Sequence, residues 1–252
     1  CLATVEAEYL KLHHSYHRVD RVISPSRFLQ EALVEGGWPQ DKVVWRQNFV
    51  DAPVSAQAKK VVDRTDHGNP YLLFFGRLSW EKGVDVLMGA FAEALPHLSA
   101  VSRLVIAGDG PMRAELEGSP LGERISFVGF RQGEELRRLV EGATLSVTCT
   151  RPPDNMPYSI VESFAAGTPV VGTRSGGIPE LVLEGRTGFL SQPDDMHELA
   201  TTLVRATAVC ADAASYHGLQ EGCRAYVHER CSSGAYLDWL EELYGGLTHA
   251  QR

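Results

Sequence analysis

The chain has 252 residues, 44% of them hydrophobic and 22% charged, with 24 glycines and 13 prolines, a balance that excludes a disordered or fibrous protein and suffices for one or two domains with real cores. Its 24 Lys and Arg against 32 Asp and Glu leave a formal charge of -8, which argues against a nucleic-acid partner or an anionic-membrane footprint. The five cysteines form no C-x-x-C pair, so neither a disulfide framework nor a metal site is expected.

No apolar run reaches the roughly 18 residues that a transmembrane segment needs, and no signal-peptide pattern opens the chain, so a cytoplasmic location is expected. The chain begins at Cys1 inside what reads as a helix, VEAEYLKLHHSYH, so an upstream segment is expected; His13 and His14 in that stretch read as exposed surface. DRVISPS predicts a short strand ending near Ser24, then a helix from Ser26 to the Gly36-Gly37 stop, then a strand in KVVWR. The stretch from Gln47 to about Asp66 has no clear period and reads as a linker.

A regular alternation follows. YLLFFG is a near-continuous apolar run, as expected of a parallel strand covered on both faces. Gly83–Leu95 carries helical spacing; SRLVIAGDG is a strand followed by a helix begun at Pro111; RISFVGF is a strand before a Gly133–Glu141 helix; TLSVTCT is a strand, a helix starts near Ser159, and TPVVGT is a strand. After RTGFLS only helices are predicted, over Asp194–Thr207, Asp212–Arg230 and Tyr236–Leu247. The pattern predicts an α/β protein with an open, doubly wound, Rossmann-like parallel sheet and a helical C-terminal tail.

The unusual residues fall after strand ends. Gly76-Arg77, Gly108-Asp109-Gly110, Gly129-Phe130-Arg131, Arg151–Asp154 and Thr173–Gly177 all sit at carboxyl ends, which share one ligand-binding edge in such a sheet. In GRLSWEKG, Arg77 follows a strand and Lys82 precedes a helix, so both are placed to hold a diphosphate at a helix N-terminus. A solvated turn with Glu81 pairing one cation is the plainer alternative. No G-x-x-x-x-G-K-[ST] or G-x-G-x-x-G motif accompanies it. In DNMPYSIVESFAAGTPVV, prolines hold Asp154 outside the coming helix, whereas Glu162 closes a Ser159-x-x-Glu162 capping box and so has a purely structural alternative.

GRLSWEKG, VIAGDGPMRAELE, ISFVGF, DNMPYSIVESFAAGTPVV and GGIPELVLEGRTGFL together resemble, in order and spacing, the donor-binding half of the family 4 retaining glycosyltransferases, which have the two-domain GT-B fold. The resemblance covers about Tyr71 to Phe189, with a weaker extension to residues 20–51. It implies three parts: 1–52, the end of an N-terminal acceptor domain and the interdomain linker; 53–235, the C-terminal donor-binding domain; and 236–252, a helix packing back toward the first domain. It further implies that Arg77, Lys82 and Asp154 are the catalytic residues. Gly76, Gly108, Ser159 and Ile160 border the donor, the last two adding helix amides to the diphosphate. Val128, Phe130 and Arg131 stand where the base is read, and Glu162 holds the ribose. Asp154, with Asn155, Met156 and Pro157 beside it, lies next to the transferred sugar. The family usually has Glu at that first acidic position, and Asp154 is one methylene shorter, which sets its carboxylate about 1 Å back by bond geometry.

The expected activity is metal-independent hexosyl transfer with retention of configuration, from a UDP- or GDP-linked sugar to a glycan, lipid-linked or small-molecule acceptor bound by the first domain. That leaves room for peripheral membrane contact by the full enzyme. A nucleotide-sugar epimerase of GT-B type and a non-enzymatic nucleotide-sugar-binding module are the alternatives. This chain would be the donor-binding half, with little or no transfer activity alone.

Overall fold

The computed structural model describes residues 18–50, 70–118 and 121–249. The N-terminal helix pattern with His13 and His14, and most of the predicted linker, lie outside the described residues.

A small unit comes first. Strand β1 (Val22–Ser24) pairs in parallel with β2 (Val43–Trp45), and helix α1 (Arg27–Glu35) crosses between them. Ser26 starts α1 by accepting from the Leu29 N–H at 3.1 Å, and the chain turns at Gly37 with φ +98. No residue of α1 is fully buried. A two-stranded sheet is marginal alone. The unit therefore depends on what it docks against.

The main body alternates strand and helix: β3 (Tyr71–Phe75), a 3₁₀ turn (Trp80–Lys82), α2 (Val84–Ala94), β4 (Arg103–Ala107), α3 (Arg113–Glu117), β5 (Ile125–Phe127), α4 (Gly133–Gly142), β6 (Leu145–Thr148), α5 (Tyr158–Ala165), β7 (Val170–Thr173), α6 (Ile178–Leu181) and β8 (Gly188–Ser191). Helices α7 (Met196–Ala211), α8 (Ala213–Arg230) and α9 (Ser233–His249) complete it. The sheet has six strands, all parallel, in the order β5-β4-β3-β6-β7-β8.

Alternation along β3 shows why the sheet is covered on both faces. Leu72 and Phe74 enter one core with Phe91 of α2 and Leu203 of α7, while Tyr71 and Leu73 enter another with Val140 of α4. Each fully buried Leu or Phe contributes about 1.5–3 kcal/mol. A third cluster joins Ile160 and Phe164 of α5, Ile178 of α6, and Tyr226 and Val227 of α8. Among the described residues no helix is long and apolar enough to cross a membrane.

Two boundaries differ from the sequence expectation for physical reasons. Helix α7 runs beyond Thr207 to Ala211 before Asp212 caps α8 through the Ser215 N–H at 2.8 Å. Helix α9 starts at Ser233, upstream of the expected Tyr236, so the proposed part boundary falls inside a continuous helix. Its Tyr236 meets Phe49 with ring centroids 4.8 Å apart, and Arg46 lies over Tyr236 and Trp239. The tail thus packs back on the segment that follows β2.

Candidate active site

Strands β3 and β6 are neighbours, but their connections leave toward opposite edges of the sheet, which opens a crevice at their carboxyl ends. Two adjoining clefts occupy it, of about 160 Å³ and 290 Å³, sharing Phe75 and Gly76. The first is lined by Lys82, Thr150 and Pro157–Ser159, the second by Arg77, Gly108, Phe130 and Arg131.

Lys82 is placed by a turn stitched to the loop after β6. Thr150 Oγ1 donates to the Glu81 carbonyl at 3.0 Å, the Arg151 N–H to the same carbonyl at 2.9 Å, and the buried Cys149 thiol to the carbonyls of Lys82 and Gly83 at 3.3 and 3.2 Å. Burial pushes the Cys149 pKa up to about 12, so it stays a thiol and a donor. Gly83 has φ +64, and a Cβ there would lie 2.2 Å from the Cys149 carbonyl oxygen. From this turn Lys82 Nζ reaches Asp154 Oδ2 at 3.0 Å. A cation that lines the first cleft and an acid 72 positions away, which lines neither, therefore meet beside it.

Sequence reasoning placed Arg151 in a loop at the ligand-binding edge but gave its side chain no role, and it organises the same region. Its guanidinium, only 10% exposed, forks onto Asp85 at 2.9 and 2.7 Å, bonds Asp194 at 2.7 Å and the Trp80 carbonyl at 2.6 Å, and lies 5.0 Å from the Trp80 ring centroid. The only sequence signal is a cation set between a buried strand and two prolines. Replacing Arg151 with leucine should destabilise the chain by about 2–3 kcal/mol, since the charge-assisted bonds are lost and Asp85 is left half-covered. The hydrogen bonds from Arg151 hold the Asp85 pKa below its ordinary 3.8. Because the folded value is the lower one, this stabilisation is complete above the unfolded pKa and is lost as pH falls through the folded one. Urea unfolding at pH 7 and pH 3 checks both points: the Arg151→Leu deficit should shrink in acid.

Asp154 rests on the Gly-Gly turn after β7. The Gly177 N–H donates to the Asp154 carbonyl at 2.8 Å. A Cβ on Gly176 (φ +60) would lie 2.3 Å from that carbonyl oxygen, and one on Gly177 2.0 Å from that of Asn155. Only glycine permits this approach.

The capping-box alternative for Glu162 is not what the structure shows. Pro157, at φ −61 and ψ 120, takes the N-cap position, so α5 starts at Tyr158 with no side-chain cap, and Ser159 lies inside the first turn with its Oγ 3.4 Å from Thr148 Oγ1. Glu162 is then too far along to bond the cap. It is exposed as a residue, yet enough protein crowds its carboxyl to raise its pKa. The Ile160 N–H, expected to serve a ligand, is instead bonded to the Pro157 carbonyl at 3.1 Å, which leaves the Tyr158 and Ser159 amides for the cleft.

The remaining residues sort by packing. Gly108 fits closely under the first loop, where a Cβ would lie 1.9 Å from the Gly76 carbonyl oxygen. Phe130, 66% exposed, and Arg131 form one wall of the second cleft. The side chains of Met156 and Ile160 are core, that of Val128 packs against the core, and none of the three lines either cleft. Among the described residues no group of three or more His, Cys, Asp or Glu is placed to hold a metal.

A parallel sheet with two cations and unspent helix amides at its switch point defines a nucleotide-binding α/β domain. Within that class, the family model for group 1 glycosyl transferases matches residues 69–208, and the chain belongs to that family. An uncharacterized glycosyltransferase of Methanocaldococcus jannaschii is 33% identical over 208 residues, 77% of this chain and 51% of that protein. A GDP-mannose-dependent alpha-mannosyltransferase of Mycobacterium tuberculosis is 31% identical over 189 residues, 74% of this chain and 48% of its own length. The fold matches that of HepE from Anabaena, solved in complex with UDP, with a TM-score of 0.77 at 23% identity over 90% of this chain and 64% of that one. The sheet is thus the Rossmann-like half of a GT-B fold. The chain spans about half the length of these two relatives.

Proposed function

We propose that the chain is the donor-binding half of a family 4 retaining glycosyltransferase, transferring a hexosyl group from a UDP- or GDP-linked donor. The observation that carries this reading is the Lys82–Asp154 pair at the switch point, beside the uncapped start of α5. The diphosphate sits between Arg77, Lys82 and the Tyr158 and Ser159 amides; the base lies in the cleft walled by Phe130 and Arg131; Glu162 bonds the ribose, and Asp154 faces the sugar. As the bond from the sugar to the diphosphate breaks, its electron pair leaves with the phosphate oxygen, and the cations and amides already aimed there stabilise the growing charge. They do so without a metal ion. An acceptor hydroxyl, glycan or lipid-linked and held by the first domain, then bonds the anomeric carbon on the face the diphosphate leaves and passes its proton to the departing phosphate oxygen. The relatives named above include a GDP-sugar user and a UDP binder, which supports either base. No observation favours the epimerase.

Thermal unfolding with UDP, GDP and ADP tests the reading. At 100 times its Kd a nucleotide adds ~2.7 kcal/mol, a rise of roughly 5–10 °C for a chain of this size. One uridine or guanosine diphosphate should produce that rise, and Glu162→Ala should shrink it without lowering the ligand-free midpoint. A rise with none of the three would overturn the proposal.

A further inference from the structure

The start of α1 is completed by a residue far away in sequence. Ser26 Oγ takes the Leu29 N–H at 3.1 Å, but the N–H groups of Arg27 and Phe28 both donate to the Glu180 carboxylate of α6, each at 2.9 Å. A carboxylate at a helix N-terminus gains from charge-assisted bonds and from the helix dipole together. Without it two amide donors at that end lose their partner. The Glu180 backbone is also fixed, since its carbonyl accepts from Tyr226 Oη at 2.9 Å, and that hydroxyl accepts from Gln47 Nε2 at 2.7 Å. Arg27 lies 4.3 Å from the Trp45 ring centroid, which joins α1 to β2, so the β1-α1-β2 unit moves as one piece.

The other end of the same short segment carries the acid. Gly177, just before α6, bonds the Asp154 carbonyl, and it sits so tightly against Ser26 that a Cβ there would lie 2.7 Å from Ser26 Cβ. Asn48, in the segment after β2, donates its N–H to Met156 Sδ at 3.1 Å. The strut Gly176–Glu180 therefore grips the small unit at one end and the Asp154 loop at the other.

We propose that Glu180 is a positioning residue: by clamping the start of α1 it couples the docking of the β1-α1-β2 unit to the placement of Asp154. The inference rests on the reading of Asp154 as the acid beside the donor sugar. Movement of the unit away from α6 breaks the clamp and frees the strut, and the Asp154 loop loosens with it.

Hydrogen–deuterium exchange on the 252-residue chain tests this with no nucleotide present, so failure of the donor-site reading would leave the result intact. Glu180→Gln keeps the size but loses the charge and one acceptor oxygen. Arg27→Pro deletes one donor from the other side, at a first-turn position where proline is tolerated, and Arg27→Ala, which loses only the side-chain contact with Trp45, is its control. In Glu180→Gln and Arg27→Pro alike, peptides covering 27–30 and 176–178, the latter carrying the Gly177 N–H that holds the Asp154 carbonyl, should exchange faster, by about tenfold, while strands β3 and β6 keep their protection. Glu180→Asp, which retains the charge, should restore part of it in both segments. Faster exchange confined to 27–30 would make Glu180 a local cap and overturn the coupling. Unchanged exchange in both segments would show that the clamp does not hold in solution, and would overturn it too.

Discussion

Replacing Lys82 with alanine in the full-length enzyme should lower kcat/KM about 10²- to 10³-fold, as expected when one preorganised group leaves a developing anion. Stability should barely move. The Lys82–Asp154 pair has side chains 36% and 23% exposed, and a pair that open to water is worth no more than about 1 kcal/mol. The turn that carries Lys82 is held by backbone bonds to Thr150 and Arg151, which the substitution leaves in place. Steady-state transfer, with the nucleotide that raises the melting temperature as the donor base, reads the first quantity, and urea unfolding the second. A kcat/KM within threefold of the parent would remove Lys82 from the proposed mechanism.

Gly176→Ala should be the more damaging change. Its φ of +60 strains any side chain, and the new Cβ would lie 2.3 Å from the Asp154 carbonyl oxygen and 2.7 Å from its nitrogen. The strain and the overlap together should cost about 2–4 kcal/mol. The fraction that folds must move the Asp154 loop to make room, and a shift near 1 Å at a reacting centre costs on the order of 100-fold. Gly185→Ala is the matched control: its φ is +72, but nothing lies within 4 Å of the added Cβ. It should lose about 1 kcal/mol and no activity. Circular dichroism melts paired with kcat below both midpoints separate the two effects; equal kcat in the two variants would sink the claim that the glycine turn places the acid.

What could be read in advance, and what could not, follows from the range of the interactions concerned. Apolar runs such as Tyr71–Phe75 and Leu145–Thr148 are local, so the strands and the loops at their ends could be located from sequence. The strand order could not, because nothing within β6 says that it pairs with β3 and not with β5. Helix α6 escaped notice because Ile178–Leu181 is one turn long and contains Pro179. Ser159 and Glu162 have ideal capping-box spacing, but the spacing does not tell which residue is the cap, and Pro157, with its φ set by its ring, takes that place. Arg77, Lys82 and Asp154 were singled out from sequence because charges beside glycines and prolines at strand ends are conspicuous, whereas Glu162 stood out through its spacing from Ser159 and through the family resemblance. Arg151 and Glu180 did not, since their partners lie 43 to 153 positions away.

The position of the cleft in the strand order has a mechanical consequence. The segment from β3 to β5 fills one flank of the sheet and the segment from β6 to β8 the other, so the first flank supplies Arg77 and Lys82 and the second supplies Asp154 and the α5 amides. The crevice is the seam between them. On the proposed reading a bound nucleotide would grip both flanks and act as an adhesive, its binding free energy adding to the cohesion of the sheet across β3 and β6. If the chain were cut between β5 and β6, the two pieces would each hold half of the contacts, and added nucleotide would draw them together.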